Sequence, residues 1–188
     1  MCGRYALYDT SKADFKIPHN LVGTNYNIAP STTVPVVVKN NQVMLITWTF
    51  KSPWIGDLNI INARSETLET KKIFRGAKRC IFLANGYYEW LRRDKVRIPY
   101  YHTFKDRMMY FGGIFNETGG CIVTRQSYPM KVEVHHRQPV ILRYTEFTSW
   151  FASDHDFSCE HSRDMTIYEV SRDVNSSKNN SAGNINRF

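Results

Sequence analysis

The first four residues, Met1-Cys2-Gly3-Arg4, hold more potential chemistry than any stretch of equal length in the chain. Cysteine is small enough for a preceding initiator methionine to be trimmed during synthesis. Cys2 would then carry an α-amine and a thiol on one residue. Model α-amines titrate near roughly 7.7–8.0 and free thiols near about 8.5, so both are partly activated at neutral pH. The α-amine can attack an aldehyde to give an imine, which the thiol closes into a five-membered thiazolidine. Alternatively the thiol attacks an acyl carbon while the α-amine serves as its base. Alone, the four residues read first as an accident of the start site, and the rest of the chain decides.

Three further groups sit where their surroundings could tune them. Asn62-Ala63-Arg64 follows the apolar pair Ile60-Ile61, so a strand would deliver an amide and a guanidinium at its end. These serve either as an orienting hydrogen bond with a phosphate clamp or as ordinary strand-end polarity. Glu89 lies between Tyr88 and Trp90, just after Gly86. A carboxylate flanked by aromatics is partly desolvated, which raises its pKa and suits it to moving protons near neutrality. The competing reading is a surface carboxylate on an alternating strand. His135-His136-Arg137 precedes Pro139, and a histidine there could shuttle protons or stabilise an imine. On an extended segment the two rings would point opposite ways.

The net charge of +8 favours a polyanionic partner, nucleic acid first. Basic residues gather as Lys71, Lys72, Arg75, Lys78, Arg79 and again as Arg92, Arg93, Lys95, Arg97, with Trp54 and Trp90 near them in sequence. Cations on phosphates, with aromatics stacking on bases, make a single-strand platform. A solvated basic face is the alternative for the second cluster, which reads as a hairpin rim.

The elements that must position these groups are short. Alternation predicts strands at 4–9, 34–38, 43–47, 59–63, 79–83, 121–124, 140–142 and 165–170. The runs 98–104 and 108–115 read as a hairpin over Lys105-Asp106-Arg107, and 25–30 reads as a loop. Helical turns are expected at 11–16, 67–74 and 147–151, and the Ser/Asn-rich end, about 176–188, is expected to be loosely ordered. At 188 residues, with 42% hydrophobic content, the chain predicts one α+β domain, β-rich, of short, mainly antiparallel strands with a few small helices. No stretch approaches the roughly 20 apolar residues of a membrane span, and no signal-peptide pattern follows Arg4, so an intracellular protein with no membrane partner is expected. The four cysteines, Cys2, Cys80, Cys121 and Cys159, form no CxxC pair, so neither a metal nor another cofactor is expected. Cys80 and Cys121 sit in apolar runs and read as buried thiols.

Taken in order, these blocks closely resemble the SRAP (SOS response-associated peptidase) family of abasic-site processing proteins. Met1-Cys2-Gly3-Arg4 matches its opening, Asn27-Ile28-Ala29-Pro30 its Asn-x-Ala-Pro, and Asn62-Ala63-Arg64-Ser65-Glu66-Thr67 its Asn-Ala-Arg-x-Glu-Thr. Gly86-Tyr87-Tyr88-Glu89-Trp90, His135-x-Arg137-x-Pro139 and Val170-Ser171 with Val174-Asn175 follow, and the second of these selects His135 over His136. The resemblance implies a monomeric protein that acts on abasic sites in single-stranded DNA, whose ring-opened sugar exposes an aldehyde. Mature Cys2 would form the thiazolidine DNA–protein cross-link. Glu89 would move protons during ring opening, His135 would assist the imine, and Asn62 would hydrogen-bond around the Cys2 terminus. Arg4, Arg64 and Arg75 would contact phosphates, as would Thr124, while Trp54 and Trp90, with Pro30 beside them, would wedge or stack. Self-removal of the residue before Cys2 would be a secondary peptidase activity. Departures from the family pattern, Thr49-Phe50 after Trp48 and Gln138 for the usual Met, touch none of the proposed catalytic groups.

Two alternatives come from other classes. An N-terminal-nucleophile glutamine amidotransferase also begins Met-Cys-Gly, and Asn85-Gly86 superficially matches its Asn-Gly segment. A non-catalytic single-strand binder would leave Cys2 incidental.

Overall fold

A computed structural model describes residues 2–52, 58–129, 134–158 and 160–188. Its strands are β1 (Arg4–Leu7), β2 (Asn25–Ile28), β3 (Thr33–Val38), β4 (Gln42–Thr47), β5 (Asn62–Arg64), β6 (Lys78–Ala84), β7 (Gly86–Arg93), β8 (Val96–Thr103), β9 (Met109–Asn116), β10 (Gly119–Gln126), β11 (Arg137–Pro139), β12 (Ile141–Leu142) and β13 (Thr166–Glu169). A single α-helix, α1 (Phe147–Phe151), and several 3-10 turns complete the described elements. The fold is thus the expected β-rich α+β domain.

Two sheets result. One runs β13-β8-β7-β1-β2, the other β11-β10-β9-β6-β3-β4, with β12 on β9 and β5 on β10. Every pairing is antiparallel except β5 with β10, where Asn62, Ala63 and Arg64 lie beside Ile122, Val123 and Thr124. The sheets meet through aromatic edges. Tyr5 and Tyr87, neighbours across β1 and β7, each stand edge-on to Phe111 of β9, with ring centroids 6.0 and 5.9 Å away.

Asn85-Gly86 carries the chain from one sheet to the other. The Asn85 side-chain oxygen accepts from the N–H groups of Tyr8 and Asp9, and its amide donates to the Asp9 carbonyl. A Cβ at Gly86 would stand 2.4 Å from the Tyr101 ring and 2.5 Å from the His102 carbonyl, so glycine is required by close approach.

Strand alternation gives the first sheet two distinct faces. Tyr5, Tyr87, Glu89 and His102 share the inner face. Arg4, Ala6, Tyr88, Trp90 and Tyr101 share the outer one, where Val170 and Val174 pack on Ala6, Tyr88 and Tyr101.

Several expectations are corrected. Runs 98–104 and 108–115 are not a hairpin: β8 pairs with β7 and β13, whereas β9 pairs with β6, β10 and β12 in the other sheet. Two equal apolar runs around a polar triplet look like a hairpin, but the chain crosses between sheets there. The real hairpin is β7–β8, turning at Asp94, whose φ is 53°. Residues 25–28 form β2 rather than a loop, no helical turn forms at 11–16, and 67–74 holds only 3-10 turns at its ends. The expected hairpin of β3 and β4 forms, with Asn40 and Asn41 at φ 64° and 56° in its turn.

The C-terminal end is ordered, contrary to its composition. The Asn27 amide nitrogen donates to the carbonyls of Val174, Ser176 and Asn179, and Tyr168 donates to the Ile185 carbonyl. Asn184 is buried and the Phe188 N–H bonds the Glu169 carbonyl. Polar residues that looked solvated instead satisfy one another against the outer face. Cys80 and Cys121 are buried core thiols, as expected. Trp54 and Cys159 lie outside the described residues.

Candidate active site

The N-terminus enters beside the part of β7 that β1 leaves unpaired, since β1 covers only Gly86 to Tyr88. There the Asn62 amide, at the start of β5, donates 2.8 Å to the Cys2 carbonyl. The Asn62 side-chain oxygen is buried with no hydrogen-bond partner among the described residues, so it is an acceptor held next to Cys2. Cys2 is fully buried. Burial, and next the Glu89 carboxylate, push its thiol well above the ordinary range, so the sulfur is a thiol rather than a thiolate in this arrangement.

Glu89 is 4% exposed, and burial raises its pKa. It sits between two spaces. One is an open groove of about 800 Å³, also lined by Gly3, Arg64, Trp90, Arg92, Arg97, His135 and Arg137. The other is a chamber of about 20 Å³, room for about one water, shared with Tyr87, His102, Tyr128 and His135. The carboxyl therefore has the two features a proton carrier needs: a proton affinity raised toward neutrality and an open side.

His135 faces Glu89 from the segment before β11. Its Nδ1 accepts the Arg137 N–H at 3.0 Å, which places the proton of the neutral ring on Nε2. Burial holds its pKa at about 4, and the charges of His136 and Arg92 add to that, so the ring is neutral at physiological pH. The two histidines do not point opposite ways: their rings stack with centroids 4.4 Å apart, because the segment is bent by the Arg137-to-His135 hydrogen bond.

Comparison with known proteins decides the family. The family model described as SOS response associated peptidase (SRAP) matches residues 1–177. The chain belongs to this family. The abasic site processing protein YoaM of Bacillus subtilis is 32% identical, over 97% of this chain and 96% of its own length. The Escherichia coli protein YedK, named for the same activity, is 25% identical over 97% of each. Among solved structures, a phage-related protein from Bordetella bronchiseptica shares the fold, with a TM-score of 0.71, 24% identity, and coverage of 91% of this chain and 95% of that one.

In this SRAP domain the sequence-predicted residues separate into three groups. Glu89, His135, Arg64 and Trp90 line one groove, and Asn62 holds the carbonyl of buried Cys2, next to Gly3 of the same groove. Pro30 and Arg75 do not line it. Arg4 and Thr124 have other work. The Arg4 guanidinium lies on the face opposite Glu89, donating 2.8 Å to the Asn27 side-chain oxygen and 3.2 Å to the Val174 carbonyl. Thr124 is fully buried, its hydroxyl donating to the Ala63 carbonyl across the β5–β10 seam. A buried hydroxyl turned onto a backbone carbonyl supports the strand that carries Arg64. Trp90 is itself oriented, its indole N–H donating 2.6 Å to the Asn175 side-chain oxygen.

Sequence reasoning gave no role to the pair that locks the site. Arg137 makes a two-pronged ion pair with Glu66, and its Nη2 also donates 2.6 Å to the Thr124 carbonyl. The Glu66 carboxyl is held at about 2 by the Arg137 hydrogen bond. The pair ties the turn after β5, hence Asn62, to the segment bearing His135. Both residues stood inside the matched blocks, but nothing in either block says that they meet.

Proposed function

We propose that this protein captures abasic sites in single-stranded DNA as a thiazolidine cross-link at mature Cys2. The observation that carries the reading is the Asn62 hydrogen bond to the Cys2 carbonyl, which holds Cys2 within the field of Glu89 and next to Gly3, and Gly3 lines the groove together with Glu89 and His135. The names of the relatives, as abasic site processing proteins, agree with it.

The chemistry balances without an oxidant. The α-amine adds to the C1′ aldehyde of the ring-opened sugar to give a carbinolamine, which loses water to an imine. The thiol sulfur then adds to the imine carbon while its proton passes to the nitrogen, so amine, aldehyde and thiol yield thiazolidine and one water. Glu89, with its raised proton affinity, receives and returns protons during ring opening and sulfur addition. Neutral His135 offers its Nε2–H to the departing hydroxyl or to a sugar oxygen. A high thiol pKa protects the sulfur from oxidation until the imine is in place. Removal of Met1 must precede capture, and self-removal by the same residues is the peptidase activity proposed alongside it.

The amidotransferase reading is disfavoured because the Asn85 side chain is tied to the backbone of Tyr8 and Asp9 by three hydrogen bonds at the crossing between the sheets and does not line the groove of Glu89 and His135. A single-stranded oligonucleotide with one abasic site, mixed with untagged protein and denatured, should give a slow-migrating species that is lost in Cys2→Ala. Protein lacking Met1 that leaves the oligonucleotide wholly free after denaturation would reject the reading in favour of a non-covalent binder.

A further inference from the structure

The β7–β8 hairpin presents an arrangement that folding alone does not favour. Arg92 and Arg97 are directly opposite each other across the two strands. Like charges at such a position, with Cβ atoms roughly 5 Å apart, are destabilising in a sheet. Neither guanidinium has an ion pair or side-chain hydrogen bond among the described residues, and both are exposed. Of the other arginines near the site, Arg4 is engaged with Asn27 and Arg137 with Glu66, whereas Arg64, which also lines the groove, is exposed but has no like-charged residue opposite it on β10.

Position gives the pair a use. Both line the groove that holds Glu89 and His135, whereas Arg93 and Lys95 of the same hairpin do not. Alternation puts Arg92 on the face of Trp90, and the register sets Arg97 opposite it and Pro99 opposite Trp90. A half-buried indole, held by Asn175, thus stands one step along the strand from two unpaired cations. Aromatic surface beside paired guanidiniums matches the alternation of base and phosphate in a single strand.

We infer that Arg92 and Arg97 form a phosphodiester clamp that holds the DNA backbone flanking the lesion, with the adjacent base stacked on Trp90. The inference rests on the proposed reading of the groove and extends it to residues outside the matched motif blocks. The clamp binds the strand but takes no part in the chemistry.

The test separates binding from capture. A single strand carrying a tetrahydrofuran abasic analogue has no aldehyde, so its affinity is read without cross-linking. For single strands log K falls with log salt by about 0.7 per phosphate contact. The R92A/R97A variant should therefore lose about 1.4 from the wild-type slope, whereas R93A/K95A should lose less than half as much. On an aldehyde-bearing strand at subsaturating concentration, R92A/R97A should cross-link more slowly than wild type, in proportion to its lost affinity. An unchanged slope in R92A/R97A, or an equal loss in R93A/K95A, overturns the clamp even if the wild type cross-links normally. A wild type that never cross-links, but whose slope falls in R92A/R97A, would reject the covalent reading and keep the clamp.

Discussion

The two flanks of the groove use arginine in opposite ways. On the flank of β11, Arg137 is buried, bonded through both terminal nitrogens to Glu66 and again to the Thr124 carbonyl. On the flank of the hairpin, Arg92 and Arg97 are exposed and face each other without a carboxylate. A guanidinium with both terminal nitrogens already bonded has little left to offer a ligand, only a buried Nε without a partner among the described residues, but it sets geometry: its own backbone N–H fixes the His135 ring. An unsatisfied one costs some self-repulsion and keeps its donors for a phosphate. On the proposed reading, one flank positions the chemistry and the other holds the strand.

The largest effect is expected at Arg137. Arg137→Ala removes the tie between the turn after β5 and the His135 segment and leaves the buried Thr124 carbonyl short of a donor. Unfolding should show a loss of about 1–3 kcal/mol, the Glu66 end being half exposed and screened. Cross-linking should slow at saturating DNA, while the salt slope of binding stays near the wild-type value. If stability is untouched and only the slope falls, Arg137 is a phosphate contact and the two flanks are alike.

That pair also marks how far sequence could go. The roles proposed for Cys2, Asn62, Glu89 and His135 come from short blocks whose residue types suggest a chemistry. Glu66 and Arg137 sit in the same blocks, but their contact spans 71 positions, and only the pairing of β5 and β11 on opposite edges of β10 brings them together. Local partners were also invisible at single positions: no block says that buried Thr124 bonds the Ala63 carbonyl or that half-buried Arg4 bonds Asn27. The strands were mostly readable from alternation, but strand partners were not, because β8 and β9 have the same apolar pattern and belong to different sheets. The ordered C-terminal end failed for a similar reason. Asparagine composition reads as solvation unless a matching set of carbonyls, such as those facing Asn27, is known to be nearby.

Glu89 should show a smaller effect with a distinctive pH dependence. Its folded pKa lies above the usual carboxylate value because burial penalises the charge. The folded protein therefore prefers the protonated form. The stability this contributes is full below the unfolded pKa, about 4.3, and is lost as pH rises through the folded value. Glu89→Gln should accordingly melt higher than wild type at pH 7–8, the difference shrinking as pH falls toward the ordinary carboxylate range, while cross-linking is severely impaired. A variant less stable than wild type at pH 8 would mean that the contacts of the carboxylate outweigh the cost of burying its charge, and that it is a fixed positioning group like Arg137.

The smallest effect tests the other flank. Arg92→Lys keeps the charge and loses the planar fork. If the hairpin acts on the strand chiefly by neutralising phosphate, the salt slope should stay within error of wild type, because counterion release counts charges and not donor geometry. Affinity for the tetrahydrofuran strand should weaken by a few fold as two-pronged hydrogen bonds become one. The rate at saturation should not move. A drop in slope as large as that of Arg92→Ala would show that lysine no longer reaches the strand, so that the clamp depends on fork geometry as strictly as the Arg137–Glu66 pair does. An affinity equal to wild type would show the reverse, a diffuse cationic rim in which the opposition of Arg92 and Arg97 has no special meaning.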